Sequence, residues 1–248
     1  MTSPRIIASI EARMSSSRLP GKMMLDIGGI PVLGLLIERL RLVSRITDIV
    51  VATSNNPADD PLAEYAARIN AAVFRGDETD VLNRVVAAQA HMASDIVVEI
   101  CGDCPLIDPD VVDAAISRFL DGTADVVTTT QPQSYPQGMD VQVFSLSDLK
   151  WVEENITDPA VREHVSLYFY EHPDRYQIVS LAAPSGQARP DLRLQLDYAE
   201  DFALIQAVYG NLSGKQGNRF KLDEILAFLD ANPEIARINA HCEERAVR

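Results

Sequence analysis

The sequence contains no apolar run approaching the roughly 18 residues that a membrane-spanning helix requires, although hydrophobic residues make up 47% of its 248 positions. Its N-terminus lacks the basic segment and following apolar segment of a signal peptide. It has only three cysteines, and an odd number in a chain of this length argues against a disulfide framework and for a reducing compartment. These absences predict a cytoplasmic protein with no membrane insertion.

Positive charge is also scarce. The net charge is −14, which argues against nucleic acid as a general partner. The charge is unevenly distributed, because residues 1–45 carry a net charge of +4 and the remainder carries −18. We therefore expect an anionic ligand to favour the N-terminal part of the chain.

Internal repeats, linkers and low-complexity tracts are absent as well, so we predict one domain over residues 1–248. Short apolar runs alternate with segments of helical periodicity. The predicted strands are 6–10, 48–53, 72–75, 96–100, 124–130, 141–144 and 176–181. The predicted helices are 32–43, 59–70, one from 80, 109–120, 146–155, one from 159, 221–230 and 233–239. This alternation predicts an α/β fold with a mostly parallel central sheet flanked by helices.

The loop after the first predicted strand carries three cations, Arg13, Arg18 and Lys22, among small hydroxyl residues such as Ser15. Arginine holds phosphate oxygens with a planar fork, and lysine acts as a mobile point charge. Loops at the carboxyl end of strands in open α/β sheets are where ligands usually bind. The loop lacks the glycines of a P-loop or a dinucleotide fingerprint. It therefore predicts a polyphosphate site, with a solvated basic turn as the alternative.

Asp103 follows the most apolar predicted strand and stands beside Gly102. A carboxylate at the end of a central strand, next to a glycine that lets a ligand approach, is a natural Mg²⁺ ligand. Asp197 is predicted to end a later strand just before a helix, in the same geometry, so both aspartates are candidate Mg²⁺ ligands. A capping turn before helix 109–120 is the alternative for Asp103, and Asp108 would start that helix equally well.

Cys101 and Cys104 form a C-x-x-C pattern on either side of Asp103. A redox pair is expected in a thioredoxin-like unit, and a zinc site needs two further ligands, which neither His241 nor Cys242 supplies at zinc spacing. We interpret the pair as small buried residues.

The segment Ala12–Lys22 resembles the signature A-R-x-x-S-x-R-L-P-G-K of the sugar cytidylyltransferases, which include the synthetases that activate 3-deoxy-manno-octulosonate and acylneuraminates as CMP-sugars. Further segments resemble the same family. They are the Gly-Asp-x-Pro motif at 102–105, the spore coat polysaccharide F-type segments at 135–141 and 162–165, and a block at 193–202 similar to R-x-T-x-D-x-x-x-D. The resemblance covers nearly all of the chain and implies a Rossmann-like nucleotidyltransferase fold of the glycosyltransferase-A type.

The resemblance implies Mg²⁺-dependent transfer of CMP from CTP to a sugar or sugar acid, of the nonulosonate or octulosonate kind, with release of pyrophosphate, in cell-surface polysaccharide biosynthesis. The implied catalytic residues are Arg13, Lys22 and Asp103, and the implied metal ligands are Asp103 and Asp197. The implied nucleotide-binding residues are Ala12, Arg13, Ser15, Arg18, Lys22 and Gly102. The implied acceptor-binding residues are Gln137, Gly138, Asp140, Arg162 and His164. Dimers are common in the family, which leaves a homodimer open for this chain.

The sequence leaves several alternatives open. For Arg162, a salt-bridged surface arginine is an alternative to binding an acceptor carboxylate or phosphate. A second function is a transferase of the same fold that uses another nucleotide, or a glycosyltransferase with a nucleotide-sugar donor, although no strand here ends in the Asp-x-Asp motif of such enzymes. A third is a non-catalytic nucleotide-binding or thiol-redox protein, for which the positions of Asp103 and Asp197 would be coincidental.

Overall fold

The computed structural model describes residues 3–243, without the side chains of 215 and 216. The strands in chain order are β1 (Ile6–Glu11), β2 (Asp26–Ile27), β3 (Ile30–Pro31), β4 (Asp48–Ser54), β5 (Ala72–Gly76), β6 (Ile96–Cys101), β7 (Val126–Thr128), β8 (Gln142–Ser145) and β9 (Ile178–Ser180). The helices are α1 (Val32–Leu40), α2 (Asp60–Arg68), α3 (Val81–His91), α4 (Pro109–Leu120), α5 (Leu146–Asn155), α6 (Pro159–Glu163), α7 (Leu167–Glu171), α8 (Ala199–Gln216), α9 (Leu222–Ala231) and α10 (Pro233–Ala236).

Seven strands form one sheet in the order β5-β4-β1-β6-β8-β7-β9. Strands β5, β4, β1 and β6 are parallel, β8 is antiparallel to both of its neighbours, and β7 is parallel to β9. The predicted mostly parallel sheet flanked by helices is thus confirmed. The chain leaves β1 toward β4 and β5 on one side and later returns to β6 on the other. Such a reversal of strand order opens a crevice at the carboxyl ends of the strands, where ligands bind in open α/β sheets.

The two faces of the sheet pack against different hydrophobic clusters. Ala8 and Ile10 of β1 belong to a cluster that includes residues of α1, α2, α4, α8 and α9. Ile7 belongs to the opposite cluster, which includes residues of α3, α5, α6 and α7. Successive side chains of a strand alternate between faces, so Ser9 and Glu11 lie on the same face as Ile7. Two polar residues therefore continue an otherwise apolar face at the carboxyl end of β1.

Several predicted elements are confirmed with small changes in their bounds, and one prediction needs correction. The helix predicted from 80 is α3, which Asp80 caps, because its carboxylate accepts a hydrogen bond from the Asn83 backbone. The segment that leads to Asp197 is not a strand. Leu194 N donates to Gln137 O and Leu196 N donates to Asp103 O, so the segment bonds to two separate loops and forms no ladder with either.

The domain prediction extends beyond the described residues, since 1–2 and 244–248 lie outside them, and it stays a prediction. Within residues 3–243, no helix has the length and apolar character needed to cross a membrane.

Candidate active site

The site lies at the carboxyl edge of the parallel strands, where the loops after β1 and β6 touch. Gly102 N donates to Glu11 O at 3.0 Å. A Cβ atom at position 102 would lie 2.8 Å from that oxygen, which is closer than Cβ atoms approach a carbonyl oxygen. Glycine at 102 therefore permits the two loops to approach each other and brings Asp103 beside the basic loop.

Lys22 lies between the two predicted metal ligands. Its Nζ atom is 2.9 Å from Asp197 Oδ1 and 3.5 Å from Asp103 Oδ2, and it donates to Leu196 O at 2.8 Å. Arg18 adds a second cation, 2.8 Å from Asp197 Oδ1. Burial lowers the pKa of Lys22, but Asp103 and Asp197 outweigh this effect, so the pKa of the ammonium group lies above its usual value. Four residues predicted from sequence thus form one compact charged cluster.

A buried network fixes the Asp197 carboxylate. Arg193 donates to Asp197 Oδ2 at 3.0 Å and to Asp201 Oδ1 at 3.0 Å. Asp201 in turn accepts from Asp197 N at 2.8 Å, and Asn239 donates to Asp201 at 2.7 Å. The sequence patterns assign no role to Arg193, Asp201 or Asn239. The block at 193–202 contains the first two residues, whereas no pattern in the sequence points to Asn239.

Asp103 is held by the neighbouring segment and by its own turn. Leu196 N donates to its backbone oxygen at 2.8 Å, and Gln195 Nε2 donates to its carboxylate at 3.2 Å. Helix α4 is capped by Asp108, whose carboxylate accepts from Asp110 N. Because Asp108 supplies the cap, the capping alternative for Asp103 does not apply, and the Asp103 carboxylate faces the site.

The three cysteines are free thiols. Cys104 is buried as predicted, but Cys101, the last residue of β6, is exposed. Burial raises the pKa of the Cys104 thiol well above its usual value. Among residues 3–243, Glu200, His241 and Cys242 form the one group of three or more His, Cys, Asp or Glu side chains close enough to share a metal ion, so the C-x-x-C pair belongs to no such group.

The donor set at the site fits a divalent cation. Two carboxylates, from Asp103 and Asp197, converge on the single ammonium group of Lys22. Carboxylate oxygens are the ligands that Mg²⁺ prefers, and Mg²⁺ at phosphate-transfer sites is usually bound by one or two carboxylates together with substrate phosphates. Asp103 and Asp197 are therefore the residues that would hold the metal ion.

Arg13 and Ser15 lie apart from this cluster, against the loop after β5. Arg13 is 40% exposed, 3.5 Å from Glu78 O and 3.9 Å from Glu163 Oε1. Ser15 Oγ donates to Glu78 Oε1 at 2.8 Å. Asn56 and Ser15, as hydrogen-bond donors, lower the pKa of the Glu78 carboxyl. Ala12 is buried under the loop. The predicted nucleotide-binding residues thus form two groups, one around Lys22 and Asp103 and one against the loop after β5, and their contact with a nucleotide stays a prediction.

The loop that carries the predicted acceptor-binding residues 137–140 packs against the segment 193–195. Gln137 Oε1 accepts from Arg193 at 3.0 Å, and the backbone of Gly138 lies against the 194–195 segment. Asp140 accepts from Gly138 N at 3.2 Å within its own loop. These contacts stabilise the loop, and direct contact of Gln137, Gly138 and Asp140 with an acceptor stays a prediction.

Arg162 and His164 end helix α6. Arg162 pairs with Asp80 and with Glu153, at 3.1 Å for the latter, and donates to Glu153 O at 2.7 Å. The geometry therefore gives Arg162 a role in joining α6 to α3 and α5, and its acceptor-binding role stays a prediction. Desolvation and the charge of Arg13 lower the pKa of the His164 imidazole, although Glu163 acts in the opposite direction.

Comparison with known proteins finds relatives that match most of the chain. Residues 7–226 match the model of a family described as Cytidylyltransferase. The chain belongs to the cytidylyltransferase family. It is 31% identical over 237 residues to the spore coat polysaccharide biosynthesis protein SpsF of Bacillus subtilis, covering 93% of this chain and 96% of that protein. It is 27% identical over 229 residues to a 3-deoxy-manno-octulosonate cytidylyltransferase of Xanthobacter autotrophicus, covering 84% and 89%.

Solved structures share the fold of this cytidylyltransferase. A cytidylyltransferase from Leptospira borgpetersenii superposes with a TM-score of 0.90 at 27% identity, covering 98% of this chain and all of the other. A CMP:2-keto-3-deoxy-manno-octonic acid synthetase complexed with CTP superposes with a TM-score of 0.62 at 19% identity, covering 84% and 99%. The predicted nucleotidyltransferase fold and enzyme class are confirmed.

Proposed function

We propose that this cytidylyltransferase transfers CMP from CTP to a sugar or sugar acid, releases pyrophosphate and serves cell-surface polysaccharide biosynthesis. One observation carries the proposal: the Asp103 and Asp197 carboxylates converge on Lys22, with Arg18 beside them, at the carboxyl edge of the sheet. This arrangement combines two carboxylates for a metal ion with two cations for a polyphosphate. The similarity to the octulosonate enzyme and to the CTP-bound synthetase supports CTP as donor and a sugar as acceptor.

The reaction follows from this charge distribution. An acceptor oxygen forms a bond to the α-phosphorus of CTP while the bond to pyrophosphate breaks in line. Positioning and neutralisation of charge dominate such transfers. Lys22 and Arg18 would neutralise the departing pyrophosphate, and Arg13 and Ser15 would contact the nucleotide from the side of the loop after β5. Mg²⁺, held by Asp103 and Asp197, would supply additional charge neutralisation when bound.

The first test is thermal unfolding with CTP, UTP, GTP and ATP, each with and without Mg²⁺. A ligand present at 100 times its Kd stabilises a protein by about 2.7 kcal/mol. We expect a CTP-selective shift that Mg²⁺ increases. Asp103→Asn should lose the increase with Mg²⁺, whereas Asp174→Asn, an exposed aspartate, should keep it. A thermal shift selective for another nucleotide would mean that this nucleotide, and not CTP, is the donor. The absence of a shift with all four nucleotides would defeat the proposal.

A further inference from the structure

Three side chains of different chemical kinds meet on the surface beside the start of α8. They are Glu200, in the first turn of that helix, and His241 and Cys242, which follow α10. One carboxylate oxygen, one imidazole nitrogen and the thiol sulfur all lie within 4.8 Å of one another. Because Glu200 is far in sequence from the other two residues, no local pattern predicts this group.

The ligand atoms of this group suit zinc and not magnesium. Thiolate and imidazole are ligands that Zn²⁺ prefers, whereas Mg²⁺ takes oxygen ligands. Cys242 is a free thiol, so its sulfur is available to a metal ion. A Zn²⁺ ion bound by three protein side chains keeps its fourth position for water. The group therefore differs in kind from the carboxylate pair of Asp103 and Asp197.

The distances in the group fit a shared ion. His241 Nε2 lies 3.6 Å from Glu200 Oε1, which is longer than a hydrogen bond. Two nitrogen or oxygen ligands of a tetrahedral Zn²⁺ ion are about 3.3 Å apart, and a pair that includes sulfur is about 3.5 Å apart. The side chains of His241 and Glu200 are 69% and 44% exposed, and exposed side chains change rotamer readily. Side-chain rotation can therefore close the remaining distances around an ion that arrives from solvent.

Buried contacts already hold the two ligand-bearing segments together. Asn239 is 2% exposed, and its side chain donates to Asp201 Oδ1 at 2.7 Å and to Arg193 O at 2.9 Å. Cys242 N donates to Asn239 O at 2.9 Å, which closes a turn over residues 239–242. The backbone that carries the imidazole and the thiol is thus fixed against the backbone that carries the carboxylate. Ligands arranged in advance lose less conformational freedom when they bind.

The group adjoins the residues that support the active site. Asp201 accepts hydrogen bonds from Asp197 N at 2.8 Å and from Tyr198 N at 3.0 Å. The Tyr198 hydroxyl in turn donates to Glu243 O at 3.3 Å, just beyond the 239–242 turn. An ion shared by the turn and by the first turn of α8 would therefore reinforce the contacts beside Asp197.

We propose that Glu200, His241 and Cys242 bind one Zn²⁺ ion, with water in the fourth position, and that this ion stabilises the contact between the 239–242 turn and α8. On binding, the thiol of Cys242 releases its proton to solvent and the imidazole of His241 binds in its neutral form. The inference is independent of the proposed function, because none of the three residues is assigned to the substrates or to Mg²⁺.

The test uses Co²⁺ as a spectroscopic substitute for Zn²⁺ in the full-length, reduced, metal-free protein. A cysteine thiolate bound to Co²⁺ gives an intense near-ultraviolet charge-transfer band, which oxygen and nitrogen ligands do not give. We expect this band to saturate at one ion per chain. Zn²⁺ should displace the Co²⁺, whereas a large excess of Mg²⁺ should not. The absence of the band, or its loss with Mg²⁺ as readily as with Zn²⁺, would overturn the inference.

Matched variants locate the ion. Cys242→Ser should abolish the band, and Cys101→Ser, which replaces an exposed cysteine outside the group, should keep it. Glu200→Gln should weaken Zn²⁺ binding at least about tenfold, because it removes a charged ligand. A band that persists in Cys242→Ser would overturn the inference.

Thermal unfolding tests the stabilising role. Zn²⁺ should raise the unfolding midpoint of the wild type more than that of Cys242→Ser, and equal shifts would contradict this role. Equal midpoints of the two proteins without metal would show that the variant is folded. The shift with CTP and Mg²⁺, measured on the same proteins, reports separately on the proposed function.

Discussion

Lys22 has two roles in the proposed site, because it balances the charge of two carboxylates and would bind the polyphosphate. Its ammonium group occupies the place between Asp103 and Asp197 where a divalent cation would be held. We therefore expect lysine and a metal ion to compete for the same carboxylates until a polyphosphate draws the ammonium group away. This competition makes weak metal binding in the absence of nucleotide an expected property of the site.

Replacing Lys22 by Met keeps the apolar stem and removes the charge. We expect the affinity for Mn²⁺ without nucleotide to rise at least about tenfold, since two carboxylates lose their shared cation, while turnover falls by orders of magnitude, about 10²-fold or more. Electron paramagnetic resonance titration of free Mn²⁺ measures the first effect, and pyrophosphate release measures the second. Lys150→Met, at an exposed position of α5, is the matched control. Unchanged Mn²⁺ affinity would contradict the competition.

The sequence predicted the charged cluster of the site but not the residues that hold this cluster in place. Lys22, Asp103 and Asp197 are recognisable because they follow strands or lie in family motifs, and the structure brings them together. Arg193, which fixes Asp197, and Arg162, which joins three helices, take their roles from partners distant in sequence or on other elements. Such pairings depend on tertiary geometry, which local patterns do not contain.

At the scale of elements, the segment 192–197 connects two of the loops around the site. It bonds to the loop of Gln137 on one side and to the loop of Asp103 on the other. Gly138 makes the first contact possible. Its φ is +93°, and a Cβ there would lie 2.7 Å from the backbone of Leu194 and of Gln195. Both the backbone conformation and the close approach require glycine at this position.

We therefore expect Gly138→Ala to damage both stability and activity. Positive φ at a residue with a Cβ costs about 1–2 kcal/mol, and the contact with backbone adds at least about as much. Gly122→Ala is the control, because Gly122 has a φ of +70° and a Cβ at that position would have no neighbouring atom within 4 Å, so it carries the conformational cost alone. Thermal unfolding and pyrophosphate release compare the two variants. Equal losses of stability and equal activity would show that the contact at 138 is unimportant.

Elements defined by local signals were predictable, and their arrangement was not. Helices α4 and α5 occupy the predicted residues 109–120 and 146–155, because each has a capping residue, Asp108 or Ser145, and a regular apolar face. The antiparallel insertion of β8 between β6 and β7 depends on long-range pairing. The segment 192–197 has the apolar alternation of a strand but finds loops as partners, so its pattern predicted an element that the fold does not form.

At the scale of the whole molecule, two enclosed carboxylates lie on adjacent central strands, Glu11 on β1 and Glu99 on β6. Most of the other residues in both strands are buried and hydrophobic. Folding must therefore place charge or a bound proton in the middle of the sheet. Buried carboxylates commonly reduce stability in this way, and here the reduction depends on pH.

The sign of this dependence follows from the direction of the pKa shift. Burial raises the pKa of Glu99 to about 7 from the ordinary value of 4.5, so the native state binds the proton more tightly than the unfolded state. The stabilisation from Glu99 is complete below about pH 4.5 and is lost as the pH rises through 7. Glu99→Gln carries no titrating group at this position. The variant should become progressively more stable than the wild type across this range, by at most about 3 kcal/mol.

Denaturant unfolding of the wild type and Glu99→Gln at a series of pH values measures this difference directly. The free energies of unfolding of the two proteins should differ least at acidic pH. The difference should grow toward neutral pH, where Glu99→Gln should have the larger free energy of unfolding. Glu154→Gln, whose side chain is exposed, should follow the wild type throughout. Parallel curves for the wild type and Glu99→Gln would mean that the native protein already supplies a full set of donors to Glu99.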